Sequence, residues 1–92
     1  MEKSEIVWTD YIKYRVGLRG YNFEKIEEIL RYSDERYFDV VTHRQIVIGS
    51  HGDRHVMIPY EKRENFIIPV TIHVITRQQI NFRLKSGRFV HG

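Results

Sequence analysis

The chain contains no cysteine, which removes disulfide staples, thiolate metal sites and a cysteine nucleophile from consideration together. That fits a reducing compartment, and a cytoplasmic location is expected. No run of about 18 apolar residues occurs, and the first eight residues carry no long apolar segment, so neither a membrane span nor a signal peptide is expected. Proline is scarce: Pro59 and Pro69 are the only two, and both fall in stretches that read as strands. Carboxylates stop altogether after Glu64, while Arg77, Arg83, Lys85 and Arg88 continue. A one-sided cationic block of this kind suits a polyanion or an acidic partner, although the formal net charge is only +3. A solvated basic helix face is the competing explanation. The five histidines, at 43, 51, 55, 73 and 91, show no H-E-x-x-H or comparable ligand spacing, and the glycines of Arg15–Gly20 do not form a phosphate loop. No metal and no other cofactor is expected.

What is present supports one compact domain, residues 1–92, since 41% of the chain is hydrophobic. Thr9 is placed to cap a helix running to about Arg19, with Tyr11, Tyr14 and Leu18 on one side and Ile12 and Val16 beside them; Gly20 suits its stop. Asn22 then caps a second helix whose Phe23, Ile26 and Leu30 are spaced for burial. Beyond Ser33-Asp34 the pattern turns to Val, Ile, Tyr and Phe, and predicts strands at about 37–42, 44–50, 54–60 and 66–75. His51-Gly52-Asp53 supplies turn chemistry between the second and third. Thr76 and Gln79 form a capping box, with Ile75 and Ile80 in staple positions, so the last strand feeds directly into a helix that Gly87 ends, leaving a short tail. Ile6-Val7-Trp8 is compatible with a short additional strand. The expected fold is α+β: an N-terminal helical hairpin packed on one face of an antiparallel meander of about four strands, with a C-terminal helix and the other sheet face open.

Alternation in the last strand sets Val70, Ile72 and Val74 on one face and Thr71 and His73 on the other. Taking Ile46, Ile48, Val56, Ile58 and Tyr60 as facing the same core gives even pairing sums. A sum of 128 pairs Tyr60 with Ile68 and sets Pro59 opposite Pro69, where neither missing N–H is needed. His55 and His73 then become direct cross-strand neighbours on the open face.

Imidazoles beside guanidinium groups suit RNA cleavage by transesterification, in which one group takes the 2′-hydroxyl proton, another protonates the leaving oxygen and a cation stabilises the phosphorane-like charge. His73 is the first choice for acid or base and His55 the second, with Arg54 and Arg77 as phosphate contacts. Two exposed strand histidines without a catalytic role remain the plainer alternative. Most aromatic residues, Tyr11, Phe23 and Tyr60 among them, are assigned to packing, whereas Tyr32, Tyr37 and Phe89 are less constrained.

Three segments in a common order resemble the BrnT-like toxins of bacterial type II toxin–antitoxin systems, relatives of the RelE-fold ribonucleases. Trp8-Thr9-Asp10 with Lys13 and then Arg19–Phe23 is similar to that family's W-D…K…H-G-V-S-F opening. Ile48-Gly49 with Gly52-Asp53-Arg54 and Val56 resembles its I-G…G-R-L-x-V hairpin. Val70–His73 followed by Thr76-Arg77 resembles I-S-A-R…T-x-x-E before a final helix. The resemblance implies a RelE-like fold, mRNA cleavage that inhibits translation, and neutralisation by a cognate antitoxin protein. It points to Lys13, Arg54 and the position of His73 as catalytic, beside His55. Two departures stand out: Thr71-x-His73 replaces S-x-R, exchanging a permanent cation for a titrating group, and Arg19 stands where the family often has His.

The expected function is therefore a metal-independent endoribonuclease, with Arg77, Arg19, Arg44, Arg83, Lys85 and Arg88 as RNA contacts. The alternative is a noncatalytic RNA- or protein-binding module of the same fold. A third reading is an accessory protein whose sheet edge pairs with another chain. RNA and an antitoxin are the expected partners, no membrane is, and a homo-oligomer stays open.

Overall fold

A computed structural model describes Ser4–His91. Helices α1 (Asp10–Leu18) and α2 (Phe23–Tyr32) begin where capping chemistry dictates: the side chains of Thr9 and Asn22 accept from the backbone N–H groups of Ile12 and Lys25. Gly20, at φ 69°, makes the left-handed step between them. The chain then runs through β2 (Glu35–Asp39), β3 (Arg44–His51), β4 (Arg54–Arg63), β5 (Phe66–Pro69) and β6 (His73–Ile75), following a two-residue β1 (Glu5–Ile6) that precedes α1. Helix α3 (Arg77–Lys85) opens on the full Thr76/Gln79 capping box, and β7 (Phe89–His91) follows it. The architecture is α+β, with three helices and one mixed sheet of seven strands among the described residues.

The sheet order is β1-β5-β4-β3-β2-β7, with β6 pairing β4 beyond the end of β5. Seven strands replace the expected four for three local reasons. The Ile6 region pairs parallel with β5. The residues after Gly87 add to β2 instead of forming a tail. The single strand expected at 66–75 is broken in two. Along β4, three steps separate Tyr60 from Met57, but four separate their partners Pro69 and His73. One extra residue is therefore inserted, and a bulge of this kind reverses which face the following side chains take.

The expected register fails in two steps: β5 is already shifted by one residue along β4, and the bulge adds a second shift before β6. Pro69 lies opposite Tyr60, not Pro59, and His73 lies opposite Met57, while His55 lies opposite Ile75. The two histidines share a sheet face as diagonal neighbours but are not a direct pair. The β3–β4 register also differs, pairing Val47 with Ile58 and Ile46 with Pro59, so Ile46 and Ile48 face away from Val56 and Ile58.

Both sheet faces are consequently covered. Ile12, Val16, Ile26, Ile29 and Leu30 of the helical hairpin pack on Val47, Val56, Ile58, Tyr60, Ile67 and Ile72. On the opposite face Ile80 of α3 and Phe89 of β7 close over Tyr37, Ile46, Ile48, Met57 and Ile75. The expected open face does not exist, because the contiguous Ile46-Val47-Ile48 feeds one core on each side, the pattern of a strand buried on both faces. Gly49 is needed for the hairpin layer to approach: a Cβ there would lie 2.5 Å from an Ile29 side-chain carbon.

Candidate functional site

Among the described residues β6 has no strand on its outer side, so His73 stands at a sheet edge, between α1 and α3. The bulge that precedes it sends Ile72 into the hairpin core and turns His73 toward the α3 side. Arg15, one helical turn before Arg19 on α1, reaches this edge: its Nη2 lies 3.4 Å from the Ile72 carbonyl and 3.4 Å from His73 Nδ1. Because a guanidinium can only donate, Nδ1 is the acceptor and the neutral ring carries its proton on Nε2. The Arg15 Nε is buried without a hydrogen-bond partner.

Burial, followed by the positive charges of Arg15, Arg19 and Arg83, pushes the His73 pKa below its ordinary value. The ring is therefore mainly neutral near pH 7, with three cations around it. It opens onto a cleft of about 450 Å³ lined by apolar Ile46, Met57, Pro59 and Val70 and by Arg44, Arg83 and Arg88, with the carboxylate of Asp39, which Arg88 neutralises. Arg83 contacts the Met57 sulfur at 3.4 Å and lies over the Phe89 ring at 5.5 Å. Among the described residues it has no carboxylate partner.

The other cations of the C-terminal block are held differently. Arg88 grips Asp39 through Nε and Nη2 at 3.0–3.3 Å. Burial of that carboxylate raises its pKa, but the Arg88 bonds and the Val41 and Thr42 amides outweigh burial and leave it below the ordinary value. Arg77 binds Glu35 through both terminal nitrogens, with Nη2 to Oε1 at 2.9 Å, and Tyr37 donates to the same carboxylate at 2.7 Å. These hydrogen bonds, Arg77's first, hold Glu35 below its ordinary pKa. The block that is purely cationic in sequence thus meets carboxylates supplied by β2.

Of the residues singled out from sequence, His73, Arg44, Arg83 and Arg88 line one cleft, with Arg19 close enough to act on His73. His55 is elsewhere on that face, near enough to Glu35 to act on its charge. Arg54 is exposed at the β3–β4 turn opposite His51. Lys13 is exposed on α1, about 200° around the helix from Arg15. Lys85 is exposed in the last turn of α3. Arg44 is paired with Glu61 at 3.2 Å. Arg15 was missing from the sequence-based set, although its spacing of four from Arg19 already placed two guanidinium groups along one flank of α1.

The arrangement presents a neutral imidazole donor among cations beside an apolar-floored cleft, a combination that suits an anion attached to a flat apolar group. No group of three or more His, Cys, Asp and Glu side chains placed to hold a metal occurs among the described residues. No described helix is long and apolar enough to cross a membrane. No family model, curated protein or solved structure matches the chain.

Proposed function

We propose that the protein is a small endoribonuclease of the RelE-like, BrnT-like kind, acting on mRNA and held in check by an antitoxin. The observation that carries this reading is His73 at the mouth of a cleft, flanked by Arg15, Arg19 and Arg83. In the free protein the ring is neutral and offers Nε2–H to a phosphate oxygen. A bound phosphodiester would offset the surrounding positive charge and draw Arg15 off Nδ1; the ring would then take a proton from water at Nδ1 and give its Nε2 proton to the leaving 5′-oxygen, while the attacking 2′-hydroxyl loses its proton to water. Arg83 and Arg19 would stabilise charge on the phosphorane-like transition state. The resemblance in segment order and the helix-helix-meander-helix succession support the RelE-like fold, with His73 in the position where that family has arginine.

Purified protein should cleave single-stranded RNA in the presence of chelator. His73→Ala should lower kcat by about 10²–10⁴-fold, the usual range for loss of a general acid or base. Arg83→Ala should reduce kcat/KM, whereas Lys13→Ala should change little because Lys13 is far around α1 from the cleft. Equal cleavage by wild type and His73→Ala would sink the assignment. Since His73 is shifted downward, any rate limb arising from the free enzyme should fall below pH 6.5, and His73→Ala should abolish it.

One observation favours a second reading, a noncatalytic RNA-binding module. The Nδ1 of His73 is engaged by Arg15 and His55 is not its direct neighbour, so a base for the 2′-hydroxyl is not evident beside the ring. Salt-dependent RNA binding weakened by Arg83→Ala, with no turnover at any pH, would select it.

A further inference from the structure

Helix α3 buries Ile80 and half-buries Leu84 on one side. Phe82 lies about 180° around the helix from the midpoint of those two, and it is 71% exposed, the highest value among the large hydrophobic side chains of the described residues. A single exposed apolar side chain is ordinary. What distinguishes this one is its surroundings: a groove of about 480 Å³ lined by Gln78, Gln79, Phe82, Arg83, Ser86 and Arg88. No carboxylate of the described residues lines it. Gln79, Arg83 and Arg88 also line the His73 cleft, so the two concavities share a wall, with Arg83 on it, which has no carboxylate partner among the described residues.

We propose that Phe82 is a base-stacking platform for the nucleotide next to the phosphate held at Arg83. This rests on the RNA reading of the His73 cleft and extends it to a second nucleotide. An aromatic face, flanking carboxamides and a cation without a carboxylate are what an unpaired nucleotide needs: a surface for its base, hydrogen-bonding groups for the base edge and a charge for its phosphate. The Gln79 oxygen is already occupied by the Thr76 N–H at 2.9 Å, which leaves its NH₂ to donate, while Gln78 can present either end. Stacking itself tolerates any base, so Phe82 would supply affinity and the glutamines any preference.

The test is equilibrium binding of the full chain to a short single-stranded oligoribonucleotide made uncleavable by 2′-O-methylation, and to the same backbone carrying abasic residues. Phe82→Ala should weaken binding of the base-bearing strand roughly 5- to 150-fold, the range for loss of one stacked base, and leave abasic binding unchanged. Phe82→Trp should retain affinity and report the strand through quenching of its fluorescence, measured in a Trp8→Phe background. Arg83→Ala should weaken both strands. If Phe82→Ala binds the base-bearing strand as wild type does while Arg83→Ala does not, the platform is wrong, the RNA reading survives, and Phe82 becomes a candidate for protein docking. Equal losses on both strands would also overturn stacking. Absence of binding by the wild type would overturn the RNA reading and this one together.

Discussion

The two faces of the sheet are covered in contrasting ways. The hairpin layer is sealed by aliphatic side chains from α1 and α2, five of them buried against five strand residues and Ile72 of the bulge. The α3 layer buries a comparable set of sheet residues but is completed by a short helix and a three-residue strand, and beside them the face carries His73, Asp39, Arg44, Arg83 and Arg88. One layer holds the molecule together, and the other leaves a cleft in which cations gather. The most direct way to break this comparison is in the hairpin layer. Ile26→Ala, at a fully buried site, should cost about 2–5 kcal/mol of stability in denaturant titrations, the usual range for such truncations. RNA affinity per folded molecule should not change. A loss of RNA affinity matching the loss of stability would mean that the two layers are not separable.

In the α3 layer the ion pair is the place to cut, with Arg88→Ala. It leaves Asp39, only 2% exposed, with the Val41 and Thr42 amides alone, and removing one partner of a buried pair costs about 3 kcal/mol. The pH dependence sharpens this. In the wild type the Asp39 pKa is below its ordinary value, so its stabilising contribution is present above the unfolded value near 3.9 and is lost as pH falls through the lower folded value. Without Arg88, burial dominates and raises that pKa, so acid unfolding followed by circular dichroism should begin at higher pH than in the wild type. Onset at the same pH would show that the amides alone hold the carboxylate.

Much of the hairpin layer was legible in the sequence, and much less of the α3 layer. Thr9, Asn22 and the Thr76/Gln79 box announce helix starts because capping is local chemistry, settled within four residues. The register was not local. The inserted residue between Pro69 and His73 leaves no mark in an apolar-polar alternation that reads as one continuous strand, and a single insertion exchanges the faces of everything after it. Val47, between Ile46 and Ile48, did carry the signal that both faces of β3 are buried. Aromatic residues misled in the other direction: Tyr11 is 55% exposed, whereas Phe89 is buried, because helix spacing says which residues share a side but not which side meets the sheet. The cationic block was legible as charge. Its pairing was not, since the carboxylates that meet it, Glu35 and Asp39, come from a distant strand. Gly49 is a further site where local reading falls short. Gly49→Ala should cost about 1–3 kcal/mol through overpacking against Ile29, with part of the loss recovered in the Gly49→Ala/Ile29→Ala double variant. Additive losses would show that the contact does not limit the approach of α2.

The smallest effect tests the contrast within α3 itself. Arg77 and Arg83 lie on the same helix, and from sequence both were expected to meet phosphate. Arg77 is bound to Glu35, which Tyr37 also holds, whereas Arg83 faces the cleft with no carboxylate partner among the described residues. A half-exposed pair of this kind contributes less than about 1 kcal/mol, so Arg77→Ala should barely move the denaturation midpoint. Its positive charge is already balanced locally, so RNA affinity should also hold, and the slope of log affinity against log salt should stay the same. Arg83→Ala should instead flatten that slope by about 1, the signature of one lost phosphate contact. If Arg77→Ala flattens the slope as much as Arg83→Ala does, Glu35 gives up Arg77 when RNA binds. The cationic face would then extend past the cleft along the whole of α3, and pairing in the free protein would not separate binding arginines from structural ones.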